Sequence, residues 1–414
     1  MINRVSTLLP IGFLRPTLAV ATEPATADAR ITAGVRADAR PPRYGFVDLL
    51  RGYALIVMIE THVVNSYLYA GPRHSPLFFW LTFFNGLVAP AFLFASGFSI
   101  VLQANRLWDD WLHFRLPFWK QMRRLGLITL VAYYSHLQHF RLSKYLHPDS
   151  SSLWAETFQV DILQCIVVSL LLVHVLILVT RNKTRFAWGA GSVGVAVLAV
   201  TPWMWAQDFR SSMPLSLALF LNPHGVSLFP LFPWLSFVLA GSCACFLFLR
   251  AVEGKEDPRF MRNMVFAGVA MVAGGLLLRP VPFTLPGHVN FYTTSPLYVI
   301  LRIGCVLLIC AFLYWMERYL HWVPKPVRLA GQESLLVYGV HLWVIFALLR
   351  GKDLGPVLGL EAGYFRCFLI SAAIIVGMLL LARYWHTLKV DYPRFTKLAQ
   401  AAVVVTMVLV FLAR

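Results

Sequence analysis

Charge is what this 414-residue chain has least of. Only 13% of its residues are Asp, Glu, Lys or Arg, against 58% hydrophobic, and its mean hydropathy is +0.67. Soluble globular domains carry about one quarter charged residues, so a large soluble core is excluded and a polytopic membrane protein is implied. Acidic side chains are scarcer still. The 19 Asp and Glu stand against 36 Lys and Arg, giving a net charge of +17. In a soluble protein that excess would point to nucleic acid. In a membrane chain it marks basic cytoplasmic loops, and no nucleic-acid partner is expected. Cysteine is rare too. Cys165, Cys243, Cys245, Cys305, Cys310 and Cys367 all lie in or beside apolar runs, none with CxxC spacing, so neither a disulfide framework nor a metal centre is expected.

What the chain has in abundance is long apolar runs. They fall at 47–69, 77–102, 125–140, 162–180, 186–206, 228–250, 264–278, 296–317, 334–350, 362–383 and 398–413. Each approaches the length needed to cross about 30 Å of hydrocarbon. The sequence therefore predicts an all-α polytopic membrane protein of about eleven transmembrane helices, within roughly 10–12. Residues 1–42 are rich in Ala, Thr, Pro and Arg and read as a disordered cytoplasmic tail, with 43–414 as one transmembrane domain. The stretch LLPIGFLRPTLAV resembles a signal segment, but Pro10, Arg15 and Pro16 interrupt it.

Loop charge orients the helices. With the N-terminus inside, the five inner loops hold 19 Lys or Arg and the outer loops hold 7. This asymmetry predicts a cytoplasmic N-terminus and a C-terminus outside, in a multi-pass protein of the cytoplasmic (inner) membrane with lipid as its solvent. Outer stretches such as YLHPDSSSLWAETF are aromatic and polar, which suits a carbohydrate-like ligand and equally suits an interfacial aromatic belt.

The first apolar run, VDLLRGYALIVMIETHVVN, is the anomaly, because it carries Asp48, Arg51, Glu60 and His62. Arg51 and His62 are eleven residues apart, which is within about 20° of three helical turns and about 16 Å along the axis. They share a face. Asp48, three residues before Arg51, can pair with it, and Asn65 continues the stripe, whereas Glu60 lies nearly opposite Arg51. A charge at the centre of a membrane helix costs about 2.5–3.5 kcal/mol, so such groups usually face a protein-lined cavity. The layout suits a reaction with one substrate on each side. Arg51 and the inner loops would hold an anionic carrier such as acyl-CoA, and His62 would act as general base or become acylated.

Other polar groups in apolar runs are candidate helpers. Asp161 and Gln164, in VDILQCI, could position an acceptor. Arg302 is a cation within LYVILRIGCVLL, a candidate oxyanion or carboxylate partner. Glu333, Ser334, Tyr338 and His341 lie in GQESLLVYGVHL, with Glu333 and His341 within roughly 80° of each other on a helix. His174 stands alone and reads as a packing residue.

Together these stretches resemble the transmembrane acyltransferase superfamily. The similarity is greatest to heparan-α-glucosaminide N-acetyltransferase and its bacterial relatives, over about residues 43–400. RYGFVDLLRGYALIVMIETH, NGLVAPAFLFASGFSIVL, VDILQCIVVSLLL, LFPLFPWLSFVLAG, TTSPLYVILRIGCVLL and GQESLLVYGVHL carry it, in the family's order. The Arg-x10-His spacing of Arg51 and His62 also resembles the acyltransferase-3 group. The resemblance implies an eleven-helix enzyme that takes an acetyl or other acyl group from cytosolic acyl-CoA and passes it to a sugar amine or hydroxyl of a cell-envelope glycan or glycolipid. In the glucosaminide enzyme the catalytic histidine follows the first helix, so His74, in GPRHSPLFFW, is the rival of His62. The large luminal N-terminal region of that enzyme has no counterpart here, so a heparan substrate is not implied. A transporter or flippase for a lipid-linked or sugar cargo is the alternative class, and a b-type haem protein ligated by His62, His174 or His341 is a third. Homodimerisation is left open.

Overall fold

The structure, a computed structural model, describes residues 44–137, 142–147, 151–281, 287, 290–320, 324–349 and 362–413. The tail 1–42 and the outer-loop cations Arg141, Arg350 and Lys352 lie outside them. The described residues are helical, with no named strand and one isolated bridge, between Leu68 and Ala362. The main helices are α1 (Gly45–Tyr67), α2 (Pro76–Asn85), α3 (Val88–Leu112), α4 (Leu116–Tyr134), α5 (Ile162–Thr180), α6 (Lys183–Ala206), α7 (Leu231–Glu253), α8 (Asp257–Leu277), α9 (Pro296–Leu320), α10 (Lys325–Gln332), α11 (Ser334–Leu342), α12 (Tyr364–Asp391) and α13 (Pro393–Ala413). A π-helical turn, Trp343–Leu349, continues α11.

Over its described residues each apolar run is mostly helix, but the helices are not equally suited to lipid. Among the described residues eight helices are long and apolar enough to cross a membrane, with α2 and α3 counted as one of 37 residues. α1 is 23 residues long and is not among them, since Asp48, Arg51 and Glu60 interrupt its apolar character. α4 carries Lys120, Arg123 and Arg124 in its first half and is also outside the eight. The run at 334–350, expected as a single span, is instead part of a broken pair: α10 and the α11 segment meet at an angle of 86° and together make a ninth candidate. The break falls at Glu333, whose backbone leaves helical geometry at φ −98°, ψ 30°.

α1 is the organising element. It packs against α3, α9, α10, α11 and α12, and most of its length is buried. Glycine sets the closest of these approaches. A Cβ at Gly331 would fall on the Asp48 carbonyl, and one at Gly52 would fall on the Val327 carbonyl. α10 therefore lies against the first turns of α1 backbone to backbone. On the other side, α3 packs on α7, and α4 and α5 pack on each other and on α3. Among the described residues α4 and α5 are not close-packed neighbours of α1. Arg124 of α4 and Asp161 at the start of α5 nonetheless come within electrostatic reach of Arg51 and His62, and the candidate site lies in this gap between the helices.

Candidate active site

At the N-terminal end of α1, Asp48 is 3% exposed and doubly held. Its Oδ1 accepts from Arg51 Nη2 at 2.5 Å, and its Oδ2 accepts from Gln332 Nε2 at 2.9 Å. Asp48 lies in the first turn, where the helix dipole favours a carboxylate. Arg51 is thereby fixed by one nitrogen, while its Nε is buried without a hydrogen-bond partner. Arg124 of α4 stands within electrostatic reach of it, and no carboxylate pairs with Arg124 among the described residues. Two guanidiniums and an unsatisfied N–H make a site that attracts an anion with several oxygens.

Three turns along, α1 presents His62. Its ring lies 5.5 Å from that of His341 of α11, the planes inclined by 35°, and 5.6 Å from Phe346 in an edge-on contact. His341 is fully buried. Its Nδ1 lies 2.9 Å from the Val337 carbonyl, so Nδ1 carries the proton and Nε2 keeps a bare lone pair. That Nε2 is buried and has no hydrogen-bond partner. Opposite stands Asp161, within electrostatic reach of His62. Its carboxylate accepts a hydrogen bond from the Tyr338 hydroxyl and lies 3.6 Å from His136 Nε2. One carboxylate thus gathers groups from α1, α11 and the turn after α4.

The reason Asp161 is fixed there is local. It is the N-cap of α5: its Oδ1 accepts from Ile162 N–H at 2.7 Å, and Gln164 closes a capping box by accepting from Asp161 N–H at 3.3 Å. The other end of Gln164 donates to the Ala132 carbonyl at 3.2 Å. Gln164 is 2% exposed and ties α5 to α4.

The remaining sequence candidates lie apart from the His62 cluster. Glu333 sits at the α10–α11 break, where Lys389 Nζ donates to both of its oxygens at 3.0 and 2.8 Å and His386 Nδ1 lies 3.2 Å away. It fastens the bend to α12. Arg302 donates to the Tyr298 hydroxyl at 2.8 Å, lies over that ring at 4.3 Å, and abuts Gly86 between α2 and α3. Glu60, on the opposite face of α1, is hydrogen-bonded to Asn85 just before that same break. His74 is exposed on a short turn, Gly71–His74, and no contact joins it to His62. His174 is stacked on Trp111 at 4.6 Å, with Nδ1 2.7 Å from the Leu170 carbonyl. Among the described residues no group of three or more His, Cys, Asp or Glu is placed to hold a metal ion.

Spacing along α1 made Arg51 and His62 readable. Tyr338 shares a helix face with His341, a signal that could have attached it to the site. Arg124 was legible only as one of several inner-loop cations and His136 carried no signal, because each reaches the site from a different segment.

Residues 43–278 match the family model for heparan-alpha-glucosaminide N-acetyltransferase, catalytic, which is more than half of the chain. The chain belongs to this family. Membership places it among membrane acetyltransferases, in keeping with its long apolar helices. A search of the curated proteins finds no match to the chain. The matched segment contains Asp48, Arg51, His62, His74, Asp161 and Gln164 of this heparan-alpha-glucosaminide N-acetyltransferase family member. Arg302, Glu333, Tyr338 and His341 come from helices beyond it.

Proposed function

We propose that the chain moves an acetyl or other short acyl group from cytosolic acyl-CoA to a sugar amine or hydroxyl on the far side of the cytoplasmic membrane. The acceptor is a cell-envelope glycan or glycolipid. The membrane carries eleven spans, N-terminus inside and C-terminus outside, with α1, α4 and the α10–α11 pair as the three polar ones. One observation carries this reading. Arg51 and His62, three turns apart on one face of α1, are coupled across the same gap to Arg124 of α4 and to Asp161 at the start of α5. On α4's side the corresponding pair, Arg124 and His136, is separated by a similar length of chain. The two levels therefore match a carrier with phosphates at one end and a thioester about 16 Å away.

The chemistry follows from the two levels. The donor's phosphates sit against Arg51 and Arg124, and its pantetheine arm runs along α1 to bring the thioester to His62. A nitrogen of His62 takes a proton from the acceptor as its amine or hydroxyl attacks the thioester carbonyl. The C–S bond breaks, and the departing thiolate takes that proton back from the imidazolium. Asp161 stabilises the transient cation, and Tyr338 and His136 hold Asp161 in place.

Proteoliposomes loaded with a glucosamine-terminated acceptor, and given radiolabelled acetyl-CoA outside, test this. Labelled acceptor is expected from the wild type and none from His62→Ala. Passage of a sugar cargo without covalent acylation would replace this reading with a transporter.

A further inference from the structure

A cavity of about 210 Å³ opens between α3, α6 and α7, away from the residues gathered beside α1. Its wall is apolar and aromatic, with Trp108 of α3, Phe186 of α6 and Phe246 of α7. Its charged groups are Lys183, Arg250 and Glu253. Lys183 is held in place, its Nζ donating to the Asn105 carbonyl at 3.0 Å and to Asn105 Oδ1 at 2.7 Å, which leaves one N–H for a ligand. It also lies over the Trp108 ring at 6.0 Å. The Arg250 guanidinium lies over the Phe246 ring at 5.3 Å, and no carboxylate pairs with it among the described residues. Lys183 also opens the 24-residue helix α6, whose N-terminal field adds to the positive potential.

A cavity with aromatic walls and two cations among its lining is matched by an amphiphile whose head is an anion. The two cations come from two of the basic loops that the charge pattern puts on the cytoplasmic side, where anionic lipids give the leaflet its negative surface. Beyond the cavity, α6 and α7 leave Trp188 and Leu247 exposed, a surface suited to acyl chains. We propose that this cavity binds the headgroup of an anionic phospholipid, its phosphate between Lys183 and Arg250. α3 joins this cavity to the helices of the acyl-transfer gap, since it packs on α1, α4, α5 and α7. The bound lipid therefore braces the helix against which both sides of the gap rest.

The full-length chain, purified from vesicles of equal parts phosphatidylcholine and phosphatidylglycerol, is examined by native mass spectrometry. The wild type is expected to retain one phosphatidylglycerol in preference to phosphatidylcholine. Lys183→Gln/Arg250→Gln should lower that retention about tenfold or more, since each basic residue near the surface contributes to anionic-lipid attraction. Glu253→Gln, a milder change, should raise it. Coenzyme A affinity should be the same in all three proteins. Equal retention of the two lipids by the wild type, or unchanged retention in the double variant, overturns the proposal. Loss of coenzyme A affinity in the double variant with lipid retention intact also overturns it, assigning the cavity to the donor's phosphates.

Discussion

His62 of α1 and His341 of α11 place their rings 5.5 Å apart at an inclination of 35°, with His341 held by its Nδ1 to the Val337 carbonyl. One imidazole is fixed in tautomer and orientation and the other stands beside it. On the proposed mechanism His62 handles the proton and His341 keeps His62 in position. His62→Ala should lower turnover by about a thousandfold, in the middle of the range for general acid–base groups, with coenzyme A affinity within a few-fold of wild type. His341→Gln should lower it by about ten- to a hundredfold. Single-turnover assays with labelled donor measure both. Wild-type turnover in His62→Ala would pass the role to His74, and His74→Ala then becomes the deciding variant.

Arg51 is fixed to Asp48 by one nitrogen and keeps another buried donor unused. A phosphate that fills that vacancy makes charge-assisted hydrogen bonds worth about 1.5–3 kcal/mol. Arg51→Ala should accordingly weaken coenzyme A binding by about 10- to 150-fold. Arg124→Ala should act in the same direction by a smaller factor, because Arg124 is the more exposed of the two. Titration calorimetry with coenzyme A reads both, and unchanged affinity in both variants would remove this end of the gap from donor binding.

Gly52 and Gly331 let α1 and α10 touch through their backbones, and this contact brings Gln332 to Asp48. Gly331→Ala puts a methyl group where the Asp48 carbonyl already sits. Overpacking of this kind costs about 1–3 kcal/mol. The variant should melt several degrees lower than wild type in detergent and should also lose coenzyme A affinity, because the displaced helix carries away a partner of Asp48. Gln332→Ala should reproduce the loss of affinity with a smaller change in melting. Wild-type melting of Gly331→Ala would show that the helices have room to separate.

A pH-sensitive contact lies in the loop between α6 and α7. His224 is disfavoured as a cation by burial and by the nearby Arg210, with Asp208 opposing them from 3.6 Å. Burial and Arg210 win, so the folded loop holds His224 below its ordinary value of about 6.5. The folded loop therefore binds fewer protons than the unfolded one. Its stability is intact above about pH 6.5 and is lost progressively as the pH falls below that value toward the lower folded-state one. Amide exchange across residues 207–227, corrected for intrinsic rates, should speed up between neutral and mildly acidic pH. His224→Asn should flatten that dependence.

Much of this was legible in the sequence, for identifiable physical reasons. Uninterrupted apolar runs fixed most of the helices, and α5, Ile162–Thr180, begins where its run does because Asp161 caps it. The alignment of Arg51 with His62 followed from helical periodicity alone. Contacts that close across the fold left no such trace. Nothing in the spacing of Gln332 and Asp48, or of Tyr338 and Asp161, marks them as neighbours. The bend at Glu333 was hidden for a related reason. Its stabilising partners, His386 and Lys389, belong to α12, so an apolar run read on its own looked straight.

The 86° turn between α10 and α11 makes the two ends of the reaction path mechanically one part. One arm of the elbow supplies Gln332 to Asp48; the other carries Tyr338 and His341 to the opposite end of the same face of α1. Residues 43–278 expressed alone would keep His62 and Asp161 yet forfeit this elbow, and with it the rigid link that holds the two halves of the path in register.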